Sequence, residues 1–339
     1  MGDVNRQIVL AERPGRHGVT LDCFRLEVAE KPRPGPGQLL IRNLYLSCEP
    51  AQRGWIAAGA NYSEPVPLGG VMRSFALGQI VESDDSHWPA GSLVYGRFGW
   101  QDWHVSDGRD IDRRCHAADG PLELNLHLLG LTGLTAYLAL TEIGRPKAGE
   151  TVAVSTAAGA VGSVAGQVAK ILGCRTVGFT GSAGKVRQCL DEFGYDAAID
   201  YKTAGDLEAA LKAAAPEGVD VYYDNTSGPV SDAVMTRLRQ GARIAIVGTM
   251  AIPSHPVPQG PRYNRAILVN RATVTGFLAF DWKAQFDAAA KQLAIWHREG
   301  RIHTRHDVAE GIEAAPAHLL RVLKGENDGK AMVRIAEAE

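Results

Sequence analysis

Cysteine is scarce and scattered. The five residues, Cys23, Cys48, Cys115, Cys174 and Cys189, are odd in number and form no Cys-x-x-Cys pair. Such a set makes a poor disulfide framework and fits a reducing compartment. Neither sign of charge dominates, because 36 Lys and Arg against 38 Asp and Glu leave 36 − 38 = −2. No dense basic block stands out, so neither nucleic acid nor an anionic membrane is an expected partner. Apolar runs are broken by charge or glycine well short of the roughly 20 residues that span a bilayer. The first residues, Met1 to Gln7, lead straight into Ile8–Leu10 and lack the apolar region and cleavage site of a secretory signal. Gly2 follows Met1, but Arg6 stands where a myristoylation site wants Ser or Thr. The chain reads as soluble and cytoplasmic.

What is present is ordinary globular composition, 45% hydrophobic and 22% charged. At 339 residues the chain exceeds what one hydrophobic core usually organises, so two domains are expected. The first third is rich in Gly and Pro, and its short apolar runs (Gln38–Ile41, Leu44–Leu46, Gly78–Val81, Leu93–Tyr95) are bounded by turn clusters. That texture predicts an irregular β-rich domain. From Leu126 to Leu140 the apolar spacing is helical. Beyond Thr151, short continuous apolar runs at Thr151–Val154, Thr176–Phe179, Ala197–Ile199, Val219–Tyr222 and Arg243–Val247 alternate with helical patterns near 161–172, 183–193, 205–215 and 230–239. Strands buried on both faces look like this, and the alternation predicts an α/β, doubly wound parallel sheet. A sixth strand, Thr273–Thr275, precedes an amphipathic pattern with Trp282, Phe286, Leu293 and Trp296 on one face. The Pro-rich patch at 253–261 is a loop candidate. A closing strand–helix–strand pattern suggests a return to the first domain, dividing the chain into 1–125 with 308–339 and 126–307.

The most informative stretch is Val152 to Ser163, a strand running into Ala157-Ala-Gly-Ala-Val-Gly162 and then a helix. Small residues let a backbone approach a pyrophosphate, and helix N-terminal N–H groups point at the anion. Simple close packing is the other reading of an Ala/Gly turn. At the end of the second strand an NAD enzyme offers Asp or Glu to the ribose hydroxyls. This chain offers Gly178 to Lys185 and no acid until Asp191. Lys185, the Ser182 hydroxyl and backbone N–H groups suit an additional phosphate, which favours NADP(H). A solvated lysine at a helix start is the alternative.

With these residues in view, the chain resembles the medium-chain dehydrogenase/reductase superfamily, in its zinc-independent branch of prostaglandin reductases and alkenal/enone double-bond reductases. The marks, in order, are Tyr45 to Pro50 with Arg53, Gly133 to Tyr137, Ala157 to Ser163, Gly181 to Lys185, Asp200 to Lys202, Tyr223 to Asn225, Gly276 to Leu278 and Gly325 to Lys330. The resemblance implies a Rossmann NADP-binding domain beside an irregular β-rich, GroES-like substrate domain, with the site in the cleft between them and a homodimer as the assembly. It implies that Gly159, Ala160, Val161, Gly162 and Ser163 hold the pyrophosphate, and that Lys185 and Tyr201, near Gly181, hold the 2′-phosphate. Asn225, Gly248, Phe277, Leu278 and Asn327 then lie along the cofactor toward the nicotinamide.

Zinc is not expected. Cys48 sits near where zinc enzymes of the superfamily place a first ligand, but Leu68 to Arg73 stands where Gly-His-Glu is required, and the four-cysteine lobe is missing. Without a Lewis acid, hydride addition to the carbon β to a carbonyl relies on hydrogen-bond donors aimed at the developing enolate oxygen. The implied activity is NADPH-dependent reduction of a small-molecule enone or enal, with quinone reduction or a non-catalytic NADPH-binding role as the alternatives. Two family tyrosines are absent: Ala51 follows Glu49-Pro50, and Thr249 to His255 contains no Tyr. Tyr263, on the loop after Gly248, is the candidate replacement donor. Tyr62 and Trp55 are further aromatics in segments that could face the cleft, and for all three packing is the other reading.

Overall fold

The computed structural model describes residues 4–59, 62–252 and 259–338. Met1, Gly2 and Asp3, and positions 253–258 of the Pro-rich patch, lie outside the described residues. The chain forms two compact units, Met1–Leu126 with His306–Glu339, and His127–Arg305.

In the first unit, β1 (Val4–Leu10) and β2 (Phe24–Glu30) form an antiparallel ribbon. A larger sheet contains β3 (Leu39–Ser47), β4 (Ala76–Glu82), β5 (Leu93–Gly96), β6 (Trp103–Ser106) and β7 (Ile111–Arg114). The two apolar runs read at Gln38–Ile41 and Leu44–Leu46 are one strand, β3. It bends through register shifts at Leu40/Ile41 and Asn43/Tyr45, so nearly every residue along it is buried. A short helix, α1 (Ala51–Trp55), follows it.

The second unit opens with α2 (Leu131–Leu138), which starts at Gly130 rather than at Leu126. Its parallel sheet contains β8 (Thr151–Ser155), β9 (Arg175–Thr180), β10 (Ala197–Asp200), β11 (Val219–Asp224), β12 (Leu238–Ile246) and β13 (Thr273–Gly276), in the order β10-β9-β8-β11-β12-β13. Between the strands lie α3 (Gly162–Ile171), α4 (Ala183–Arg187), α5 (Leu207–Ala214), α6 (Pro229–Met235) and α7 (Asn264–Asn270). Central β8 and β11 are buried along their whole length. Adjacent tyrosines on β11 mark the two covered faces. Tyr222 joins the cluster with Leu211, Val230 and Val234, while the Tyr223 hydroxyl donates to the Thr135 carbonyl of α2 at 3.0 Å. This is a Rossmann fold with its order reversing between β8 and β11.

Helix boundaries follow local chemistry. Asp206 caps α5 by accepting from the Ala209 N–H at 3.0 Å. The last helix of this unit, α8 (Phe286–Arg298), is shorter than the apolar spacing suggested. Trp282 lies in a 3-10 segment and has non-helical angles (φ −113°, ψ 18°), so it does not share the helix face with Leu293. It stacks on Phe277 instead, with centroids 6.2 Å apart.

The tail supplies β14 (His306–Glu310), α9 (Ala315–Lys324) and β15 (Lys330–Arg334), and β15 pairs antiparallel with β3 in the first unit. No helix among the described residues is long and apolar enough to cross a membrane.

The pairing of β15 with β3 brings a charge indoors. Lys330 is 2% exposed, and its ammonium donates to Ser47 Oγ, to the Cys48 carbonyl at 3.4 Å and to Glu49 Oε1 at 3.1 Å. Ser47 also donates to Glu49 at 2.7 Å. All three donors of the ammonium thus have acceptors, which offsets its desolvation. Removing the cation alone strands a buried carboxylate, so Lys330→Met should lower unfolding stability by about 3–5 kcal/mol. Adding Glu49→Leu should recover part of that loss, and urea unfolding of the single and double variants reads the difference.

Candidate functional site

The carboxyl ends of the parallel strands gather most of the residues singled out above. At the end of β8 the chain turns through Thr156 to Val161 into α3. Thr156 has φ +54°, a left-handed conformation that a β-branched residue rarely adopts. The turn is tight. The Gly159 N–H donates to the Thr156 carbonyl at 2.8 Å, and a Cβ on Gly162 would lie 2.3 Å from that same oxygen. Gly162, Ser163 and the next six residues of α3 are buried, while Gly159, Ala160 and Val161 are half-buried at the mouth of the turn. A ten-residue helix beginning there directs its first N–H groups and positive dipole end at the same place.

Gly178 and Tyr195 pack beneath this turn. The buried Tyr195 hydroxyl donates to the Gly162 carbonyl at 2.7 Å, and its ring lies over Gly166, where a Cβ would come within 2.1 Å. Burial raises the pKa of Tyr195 well above the ordinary tyrosine value, so it stays a donor. Sequence reasoning did not single out Tyr195. Its signal was Gly166, a glycine within the predicted helix.

At the end of β9, Ser182 caps α4 by accepting from the Lys185 N–H at 3.3 Å. Gly181 lies against Tyr201, whose hydroxyl would be 3.0 Å from a Cβ there, and against the Lys202 side chain at 3.2 Å. Tyr201 is 40% exposed. This corner therefore presents two lysines and two hydroxyls with no carboxylate at the end of β9, while Asp200, at the end of β10, accepts from the Lys202 N–H at 3.0 Å.

At the reversal point, β8 and β11 are tied end to end. Asn225 donates from its backbone to Ser155 Oγ at 2.8 Å and from its side chain to the Ser155 carbonyl at 2.7 Å. Next to it, buried Asp224 accepts from the Thr226 and Ser227 N–H groups and from the Ser231 and Tyr222 hydroxyls. Gly248, after β12, fits because a Cβ would lie 2.6 Å from the Asn225 carbonyl. Phe277 follows β13, is buried, and donates its N–H to the Ile246 carbonyl, while Leu278 is 39% exposed. Asn327 belongs to the first unit, where its side chain donates to the Gly329 carbonyl at 2.6 Å just before Lys330.

Tyr263 stands elsewhere than on an open loop. It immediately precedes α7, its ring packs against the cluster of Val230 and Val234, and its hydroxyl donates to the Asp232 carboxylate. Burial, with Asp232 adding to it, raises its pKa above the ordinary value. In the first unit Trp55 is buried beside Phe75, whereas Tyr62 is half exposed. Cys48 is buried, its thiol donates to the Ala315 carbonyl, and burial pushes its pKa up to about 12. Among the described residues no three His, Cys, Asp or Glu side chains converge on a point that would hold a metal ion.

Residues 6–113 match the family described as the N-terminal domain of oxidoreductase, and residues 160–294 the family described as zinc-binding dehydrogenase. The chain is 38% identical to the NADPH-dependent curcumin reductase of Escherichia coli (strain K12), over 98% of this chain and 97% of that one. It is 39% identical to prostaglandin reductase 1 of Oryctolagus cuniculus, over 93% and 89%. The crystal structure of CurA in complex with NADPH from Vibrio vulnificus has a TM-score of 0.92 at 35% identity, covering 98% of this chain and 99% of that one. On this ground the chain belongs to the medium-chain dehydrogenase/reductase superfamily, in the zinc-independent branch of the prostaglandin and alkenal reductases.

Proposed function

We propose that this protein is an NADPH-dependent reductase of carbon–carbon double bonds conjugated to a carbonyl, working without a metal. The observation that carries the reading is the pair of sites at the strand ends. One is a turn where Gly162 admits no Cβ, opening onto the N-terminus of α3; the other is a corner of Lys185, Lys202, Tyr201 and Ser182, with no acid at the end of β9 itself and Asp200 at the end of β10 beside it. The donor set fits a dinucleotide with an additional phosphate.

In this reading the turn from Gly159 to Ser163 receives the pyrophosphate, with the Gly159 and Ser163 N–H groups already given to the Thr156 and Gly159 carbonyls, and Lys185 and Tyr201 with Gly181 receive the 2′-phosphate. Asn225 is fixed by its two bonds to Ser155, and Gly248, Phe277 and Leu278 continue the line along the strand ends. When bound, the reduced nicotinamide supplies the hydride that adds to the carbon β to the carbonyl. The protein's own part is to hold the reactants in position and keep water out. The test is NADPH oxidation followed at 1:1 turnover against a panel of enones, enals and quinones. Binding of NADPH with no oxidation by any of them would leave a non-catalytic binding protein, and oxidation by quinones alone would make it a quinone reductase.

Assembly as a homodimer fits the second unit. Among the described residues β13 is an edge strand of only four residues; Val274 on it is exposed, and Leu268 and Val269 of α7 are 75% and 52% exposed. A short strand edge and exposed apolar side chains favour pairing with a second copy. Sedimentation velocity should read two chains, and a monomer at micromolar concentration would overturn this assignment.

Cofactor preference rests on Lys185. One charge-assisted phosphate contact is worth roughly 1.5–3 kcal/mol. Lys185→Ala should therefore weaken NADPH about ten- to a hundredfold and NADH little, read by fluorescence titration. Equal losses for both cofactors would make Lys185 structural.

Tyr263 meets a competing acceptor. To donate to a substrate oxyanion it must leave the Asp232 carboxylate, at a cost of about 1.5–3 kcal/mol. We therefore expect Tyr263→Phe to keep turnover within about threefold of the parent and to lose roughly 1 kcal/mol of stability. The ribose hydroxyl, a backbone N–H or water then meets the enolate oxygen. A fall of a hundredfold in turnover would restore Tyr263 as the donor.

A further inference from the structure

His127 is the first residue of the second unit and is completely buried. Its Nε2 lies 2.9 Å from the Ala160 carbonyl oxygen. A carbonyl only accepts, so Nε2 carries the proton and donates. The backbone that carries the imidazole is also held. The His127 carbonyl accepts from Thr132 Oγ1 at 2.9 Å and from the Gly133 N–H at 2.9 Å, and Gly133 leaves no room for a Cβ against the Leu128 carbonyl.

Ala160 sits in the turn between Gly159 and Gly162, and the His127 side chain reaches its carbonyl from another part of the chain. In a planar trans peptide the C=O and the following N–H point in opposite directions. A donor that holds the Ala160 carbonyl toward the buried imidazole therefore turns the Val161 N–H away from it. Without that donor, a peptide rotation would place a carbonyl oxygen, with its partial negative charge, in the turn.

We propose that His127 is a positioning residue for pyrophosphate: it fixes the orientation of the Ala160–Val161 peptide so that the turn presents an N–H, not a carbonyl, to the anion. The inference rests on the dinucleotide reading above and assigns a residue outside the glycine turn to that same site. It carries a signature distinct from that of Lys185, because pyrophosphate is common to NADPH and NADH.

The experiment compares His127→Leu, His127→Asn and His127→Gln in the full-length protein. Kd values are measured for NADPH, NADH and adenosine 2′-monophosphate, which lacks the pyrophosphate. His127→Leu should weaken NADPH and NADH by the same factor, about tenfold or more, and leave adenosine 2′-monophosphate within about twofold. The glutamine amide reaches about as far as Nε2 and should restore both dinucleotides to within about threefold, whereas the shorter asparagine should not. If the leucine variant does not fold, the asparagine–glutamine comparison decides. Equal dinucleotide affinities for those two variants, or a loss shared by adenosine 2′-monophosphate, would overturn the proposal. A parent protein that binds no dinucleotide would instead remove the reading on which it stands.

Discussion

The closeness of Gly162 to the Thr156 carbonyl, where a Cβ would sit at 2.3 Å, is the constraint on which the functional edge of the second unit depends. It lets α3 begin directly at the end of β8, so that the helix N-terminus and the strand end share one place. Thr156 accepts a left-handed backbone to make the turn, a strain of order 1–3 kcal/mol that the surrounding packing must hold. Tyr195 from below and His127 from the side each donate to a carbonyl of this turn, Gly162 and Ala160 respectively. Two buried donors thus hold two carbonyls that are separated by one residue, Val161.

Identical residue types do different work according to burial. Lys330 is enclosed with three acceptors, one of them the Glu49 carboxylate, and functions as part of the packing between β15 and β3. Lys185 is half-buried on α4, whose N-cap is the Ser182 hydroxyl. The same contrast separates the tyrosines. Tyr195 and Tyr222 are buried and committed to protein acceptors, Tyr263 is committed to Asp232, and Tyr201 faces solvent. The cysteines are all buried. Burial pushes Cys115 and Cys189, like Cys48, up to about 12, so they behave as small apolar residues and not as nucleophiles or ligands.

Much of the second unit was legible because its central strands are buried on both faces and its helices have one apolar side. Both patterns survive in the sequence as continuous runs and 3.6-residue spacing. Thus β8, β9, β10, β11 and β13 fall where the runs are, and α3 and α5 where the periodicity is. The pattern failed where local geometry breaks periodicity. Trp282 has helical spacing but a kinked backbone, and α7 emerges after a Pro-rich stretch that reads as loop. In the first unit β2 was missed because most of its residues are exposed and it alternates weakly, and β3 was read as two pieces because bulges interrupt it.

The sequence by itself determined the fold class, the glycine turn after β8, the missing acid after β9 and the lack of a zinc-ligand set. Each of these depends on residue type at short spacing, and short spacing is preserved in one dimension. Only the tertiary structure decided which side chains reach that turn from a distance, because His127 and Ala160 are 33 residues apart and so are Gly162 and Tyr195. It also decided that the Tyr263 hydroxyl is held by Asp232, 31 residues away, and that Lys330 is enclosed with Glu49 from the far end of the chain. A hydrogen bond fixes distance and angle in space, and sequence separation carries no record of either.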